Sequence, residues 1–139
     1  MASNNFRYKK IYIDPITGPV FRPIIPIEVT KKSSSFPTEA LLDTGADFCI
    51  FSGEIAKVLG IKMESGDPHG IEGVGGAKTR GYLHNIGLTI PGFLMYSSWG
   101  FFSDDLNDMN HAILGQRGFF EKYKVSFEYK KKLVVVREK

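Results

Sequence analysis

Two leucines, Leu41 and Leu42, run directly into Asp43-Thr44-Gly45-Ala46-Asp47, and this run occurs once in a 139-residue chain with no internal repeat. An aspartate placed after two leucines stands at the mouth of a buried strand. Gly45 lets the backbone turn tightly and approach another chain closely. Thr44 adds a hydroxyl that can bond to backbone across such a contact and fix the loop. One carboxylate so placed is a poor catalyst. Two of them a few ångströms apart cannot both ionise, so one keeps a proton while the other acts as a base. Such a pair can deprotonate a water and protonate a carbonyl oxygen together. A single copy per chain therefore calls for a second chain. The plain alternative is that Asp43 is a turn residue bonding its own backbone ahead of Thr-Gly.

The length suits one domain and leaves no room for a second sizeable core. Apolar residues make up 42% and charged residues 24%, a balance that folds rather than staying disordered. The net charge of +3 is mild. The Lys130–Lys132 run reads as a charged hairpin turn, so no nucleic-acid partner is expected. Cys49 has no second cysteine to pair with and sits among Phe48, Ile50 and Phe51, as a buried inert thiol would. Met1–Lys10 is polar and basic without the apolar core of a signal peptide, and no stretch approaches the ~20 apolar residues that span a bilayer. The expectation is a soluble, cytoplasmic protein with no membrane partner.

Along the chain, residues 1–10 read as a flexible N-terminal arm and residues 11–139 as a single domain. Val20 to Val29 reads as a strand in which Pro23 and Pro26 remove ladder donors, which suits an edge or interrupted strand. Lys31 to Pro37 reads as a polar loop. Ser52 is placed to cap a short helix, with Ile55, Val58 and Leu59 on one face and Gly60 at its end. Gly70 to Tyr82, dense in glycine, reads as a hairpin with a flexible tip. Phe93 to Phe102 is an aromatic-rich strand, with Trp99, Phe101 and Phe102 expected in the core or a pocket wall. Ser103 to Asn110 is an acidic loop. Ile113-Leu114-Gly115 is a short buried run before a helical turn carrying Phe119, Phe120 and Tyr123. Val125, Phe127 and Tyr129 alternate into a C-terminal hairpin whose return strand is Leu133 to Val136.

Three of these segments stand in an order that resembles the retropepsins, the retroviral-type aspartic peptidases and their cellular and bacterial relatives. They are Leu41 to Asp47, Gly73-Val74-Gly75-Gly76 with Ala77 to Tyr82, and Ile113-Leu114-Gly115. The resemblance spans about residues 20–136. It implies an all-β, retropepsin-like acid protease barrel with two short helices, holding half of a homodimeric active site. It further implies an aspartic endopeptidase acting on a peptide or protein substrate, with no cofactor and no metal. Aspartic proteases are the standard case of two carboxyl groups sharing one proton.

Carried over by position, the resemblance makes Asp43 the catalytic carboxylate, one from each subunit. Thr44 makes the interlocking bonds between the two loops, and Gly45 lies under the substrate. Ala46 and Asp47 line adjacent subsites. Gly73, Val74 and Gly75 form the tip of a flap over the peptide, and Ile113 lines a specificity pocket. The sequence departs from the retroviral pattern at Glu72, where a glycine is usual, and at Gln116, where an arginine usually ties down the second acidic residue. Arg117 next door is the available substitute. The chain also runs on into the hairpin from Val125 to Val136. These departures keep a second reading open, a catalytically silent peptide-binding or dimerisation module of the same fold. His69, His84 and His111 lack metal-ligand spacing and read as surface or structural histidines. Asp104, Asp105 and Asp108 lack calcium-loop spacing.

Overall fold

Apolar residues come in short runs rich in Val, Ile, Phe and Tyr between turn residues, and these runs become strands. The structure, a computed structural model, describes residues 2–139, so Met1 of the expected arm lies outside the described residues. The strands are β1 (Ser3–Arg7), β2 (Lys9–Asp14), β3 (Gly18–Arg22), β4 (Ile24–Lys31), β5 (Ser34–Leu42), β6 (Cys49–Ser52), β7 (Asp67–Glu72), β8 (Lys78–Thr89), β9 (Tyr96–Ser103), β10 (Ala112–Leu114), β11 (Tyr123–Glu128) and β12 (Leu133–Glu138). The helix α1 spans Gly53–Val58.

Six strands close into a barrel in the order β4-β5-β10-β6-β9-β8, with β8 returning to β4 through Glu28 opposite Thr89 and Thr30 opposite Gly87. Alternation fills the interior. Ile25, Ile27 and Val29 of β4 are buried while Pro26 and Glu28 between them face outward. Phe51, Leu88, Phe102, Leu114 and Phe119 complete the core from the other walls. Pro26 sits where β4 pairs only with β5, opposite Glu39, so its missing donor costs no ladder bond on the other side. The β4–β5 connection is tighter than the expected loop over 31–37. Lys31 pairs with Ser34, and Lys32 adopts φ of 54° in the turn between them.

Residues 2–10 are not a loose arm. Ser3 to Arg7 pair with Arg137 to Leu133, and Tyr8 N–H donates to the Lys132 carbonyl at 2.9 Å. The reason lies in Phe6 and Tyr8, which pack against the core and cover an edge of β12 that would otherwise be unpaired. The resulting sheet, β1-β12-β11, buries Val134 and Val136 and contains the expected C-terminal hairpin.

Helix α1 ends as its sequence dictates. Gly60 takes φ of 71°, its N–H bonds to the Lys57 carbonyl and that of Ile61 to Ala56, a Schellman closure. Ser52 stands at the N-cap but makes no side-chain capping bond; Asn107 Oδ1 accepts from Glu54 N–H instead. The second expected helix is only a wide turn. From Gly115 to Tyr123 the bonds mix spacings: Phe120 to Gly115, Glu121 to Gln116, Lys122 to Phe119 and Tyr123 to Phe119. Phe119 and Tyr123 are nevertheless buried, as their spacing required. Phe101 and Phe102 are buried too, whereas Trp99 faces outward at 45% exposure.

Candidate active site

The acidic loop occupies the gap that β10 creates. Strand β10 pairs in parallel with β5, Leu114 opposite Leu42, and antiparallel with β6, Ile113 opposite Ile50. Residues 43–48 must therefore cross over the end of β10 to join strands on either side of it. The crossing is possible because residue 115 has no side chain. A Cβ at Gly115 would lie 2.3 Å from the Phe48 carbonyl oxygen and 2.6 Å from that of Ala46.

Within the crossing each residue is held by named bonds. Asp43 N–H donates to the Leu114 carbonyl at 3.0 Å, anchoring the carboxylate's backbone to β10. Gly45 N–H donates to Asp43 Oδ1 at 2.9 Å, and Ala46 N–H to the Asp43 carbonyl at 3.1 Å. The far side is fastened from the segment after Gly115. Gln116 N–H donates to the Ala46 carbonyl, Arg117 N–H to the Asp47 carbonyl, and Gln116 Nε2 to the Thr44 carbonyl at 2.8 Å. Thr44, Gly45 and Asp47 remain exposed and Asp43 is half-buried, so the loop presents its carboxylate to the surface from a fixed frame.

Strands β7 and β8 form the glycine hairpin. Register runs from Asp67 opposite Leu83 to Glu72 opposite Lys78. Its tip closes on itself through Gly73 N–H to the Ala77 carbonyl and Gly76 N–H to the Gly73 carbonyl, with Gly75 at φ of 82° and Gly76 at 79°. Val74 projects fully into solvent. The hairpin meets the acidic loop edge-on where the His69 ring packs on Phe48, centroids 5.1 Å apart.

The family model described as aspartyl protease matches residues 27–117, from β4 through the brace after Gly115. The chain belongs to the aspartyl protease family. Among solved structures it is similar to a retropepsin-like aspartic protease from Rickettsia conorii, with 15% identity, TM-score 0.60, and 95% of this chain and 98% of that one covered. It is also similar to the EIAV protease in complex with the inhibitor HBY-793, with 21% identity, TM-score 0.50, and 76% and 88% covered. No curated protein matches the chain. The fold is therefore that of a retropepsin-like aspartic protease, all-β with a closed barrel and few helices.

In this aspartyl protease chain Asp43, Thr44, Gly45, Ala46 and Asp47 form one braced loop, and Ile113 lies beneath it between Leu41 and Ile50. Gly73, Val74 and Gly75 stand apart at the hairpin tip. A cleft of about 880 Å³ lies along the hairpin and is bounded by Glu64, Ile71, Arg80, Tyr82 and Asp104; Asp43 is not on its wall. Arg117 is the residue expected to replace the usual arginine. The loop is instead braced by the Gln116 side chain, while Arg117 contributes backbone. The signal was the Gln itself, a two-ended amide directly after Ile-Leu-Gly. His69, expected to be a surface or structural histidine, has a structural role, joining the hairpin to the loop through Phe48. His84 is structural, bonded to the Met63 carbonyl at 2.8 Å and packed on Phe102.

Proposed function

We propose that this protein is an aspartic endopeptidase whose active site forms when two chains bring their Asp43 loops together about a two-fold axis. The observation that carries this reading is the fixed, outward-facing Asp43, held between Leu114 and Gly45 with exposed Thr44 beside it. A heterologous arrangement could not set two copies of one loop against each other, so the axis is two-fold. An active site with its second wall on another chain also accounts for Asp43 lying outside the cleft along the hairpin.

In the proposed reaction one Asp43 carboxylate takes a proton from a water molecule as its oxygen attacks the peptide carbonyl carbon. The Asp43 carboxyl group of the other chain gives its proton to the carbonyl oxygen. Collapse of the tetrahedral species returns a proton to the departing amine and breaks the C–N bond, with no covalent enzyme intermediate. Thr44 interlocks the paired loops, and Gly45, Ala46 and Asp47 run along an extended substrate. The hairpin tip at Gly73, Val74 and Gly75 closes over it as a flap, and Ile113 contributes to a side-chain pocket.

The test is peptide-library cleavage by the parent and by Asp43→Asn. Loss of cleavage with unchanged circular dichroism and melting temperature is expected. Cleavage by Asp43→Asn at the parental rate would refute the assignment. Tight binding of extended peptides by the parent, with no cleavage at any pH, would make the chain a silent peptide-binding module.

A further inference from the structure

Strands β2 and β3 form a two-stranded sheet that shares no ladder with the other described residues. Register runs from Lys9 opposite Arg22 at its root to Asp14 opposite Gly18 at its tip, which makes the hairpin about 20 Å long. Every residue from Lys9 to Ile13 is exposed, so neither face of β2 is covered. Yet this segment is apolar: Tyr12 is 49% exposed, Ile13 64% and Ile16 92%. An isolated hairpin is marginal in water, and one that spreads apolar side chains into solvent is a surface awaiting a cover.

The tip is built to hold its shape. Asp14 Oδ1 accepts from the N–H groups of both Ile16 and Thr17, at 2.8 and 3.0 Å, and Gly18 turns the chain at φ of 88°. Ile16 is thereby presented rather than left to fold back.

The root says where the cover comes from. Arg22 leads through Pro23 into β4, and the Pro23 carbonyl accepts from Leu42 N–H at 3.0 Å, one residue before Asp43. Lys9 pairs with Glu39 of the same strand, β5. The hairpin therefore leaves the barrel beside the acidic loop, at the end where a second copy must arrive for two Asp43 carboxylates to meet. The loop alone offers few residues for that meeting, far short of the ~800 Å² per partner of a stable interface. Strands β1 and β12 already pair with each other within one chain, so their mutual ladder is not left over for a partner.

We propose that the β2–β3 hairpin is the embracing element of the homodimer, each copy laying Tyr12, Ile13 and Ile16 on the other. This rests on the dimeric reading of the active site. By two-fold symmetry each contact is made twice, so one hairpin per chain supplies two apolar patches per dimer.

The test compares full-length parent, Asp43→Asn, and the triple variant Tyr12→Ser/Ile13→Ser/Ile16→Ser by sedimentation equilibrium across concentration, with peptide cleavage measured on the same samples. All three substituted positions are exposed, so the circular dichroism spectrum should match the parent. The expected result is a dimer for parent and Asp43→Asn, a dissociation constant raised at least tenfold in the triple variant, and triple-variant cleavage that recovers as concentration rises. A triple variant that dimerises as tightly as the parent overturns the proposal, while its cleavage leaves the peptidase reading intact. One that dimerises normally but fails on folded protein substrates alone also overturns it and makes the hairpin a substrate-docking element. A parent that stays monomeric at all concentrations overturns it as well. A parent that dimerises through the hairpin but never cleaves upholds it and defeats the peptidase reading. Hydrogen exchange on the unmodified parent supplies a second measurement: residues 11–16 should gain protection in the dimer, and unchanged exchange there counts against the embrace.

Discussion

The side-chain amide of Gln116 donates to the backbone carbonyl of Thr44 at 2.8 Å, so a residue outside the acidic motif fixes the residue next to Asp43. The bond is neutral and partly exposed, worth about 1 kcal/mol to the fold. Its larger effect is expected on geometry. Gln116→Ala should lower the melting temperature by only a few degrees and reduce kcat well over tenfold with KM little changed. Gln116→Glu is the sharper probe, since an ionised carboxylate cannot donate to a carbonyl. Its activity should be poor at neutral pH and recover relative to the parent as the pH falls and the side chain is protonated. Parallel pH profiles for the two proteins would show that the amide is not positioning the loop.

Gly115 is demanded by space rather than by backbone twist. A methyl group there would overlap the carbonyl oxygens of Phe48 and Ala46. Neither is the end of a flexible side chain, so the loop itself would have to move. Gly115→Ala is expected to destabilise the protein by about 3 kcal/mol and abolish cleavage, read by urea denaturation alongside the peptide assay.

The hairpin tip separates dynamics from stability. Gly75 adopts φ of 82° with nothing near its missing side chain, so the penalty of a β-branched residue is conformational. Gly75→Val should reduce turnover strongly while costing the barrel little, because the tip bonds only to itself. Equal losses in melting temperature and activity would contradict a lid role.

Alkaline pH should unfold the protein through buried Cys49 and Tyr123 and the partly buried Tyr96. Burial pushes the Cys49 thiol up to about 12 and the Tyr123 phenol up to about 12, and raises the Tyr96 phenol as well. In the unfolded chain the thiol ionises near its ordinary 9.0 and the phenols near 10.0, so there the unfolded state sheds protons that the folded state keeps. Stability is therefore at its full value below pH 9 and declines from there toward pH 12. Urea midpoints across this range check the sign. Cys49 should resist thiol reagents at pH 8 until the protein unfolds.

The site was legible where side-chain chemistry and chain order coincide. Leu41-Leu42-Asp43-Thr44-Gly45 announces a strand running into a tight acidic turn, and the Gly-Val-Gly-Gly hairpin and the Ile113-Leu114 strand follow from composition and alternation. What escaped depends on contacts between distant segments. Nothing local marks Ser3–Arg7 as a strand, because its pairing exists only once Leu133–Glu138 offers an edge. The helical turn after Gly115 carries helix-spaced aromatics, but the bonds that fasten Gln116 and Arg117 to the acidic loop hold its start open and no regular helix develops. The Gln116 amide is legible as a donor, but its partner is not, being a backbone atom 72 positions away.

Ser3 faces Arg137 at one end of the β1–β12 ladder, while Arg7 and Leu133 lead back into the molecule from the other. Tension on the two ends would therefore open that ladder one bond at a time, like a zip, instead of loading all its bonds at once in shear. Every bond lost brings the next nearer to failing, and Val134 and Val136 beneath lose their cover as the strands part.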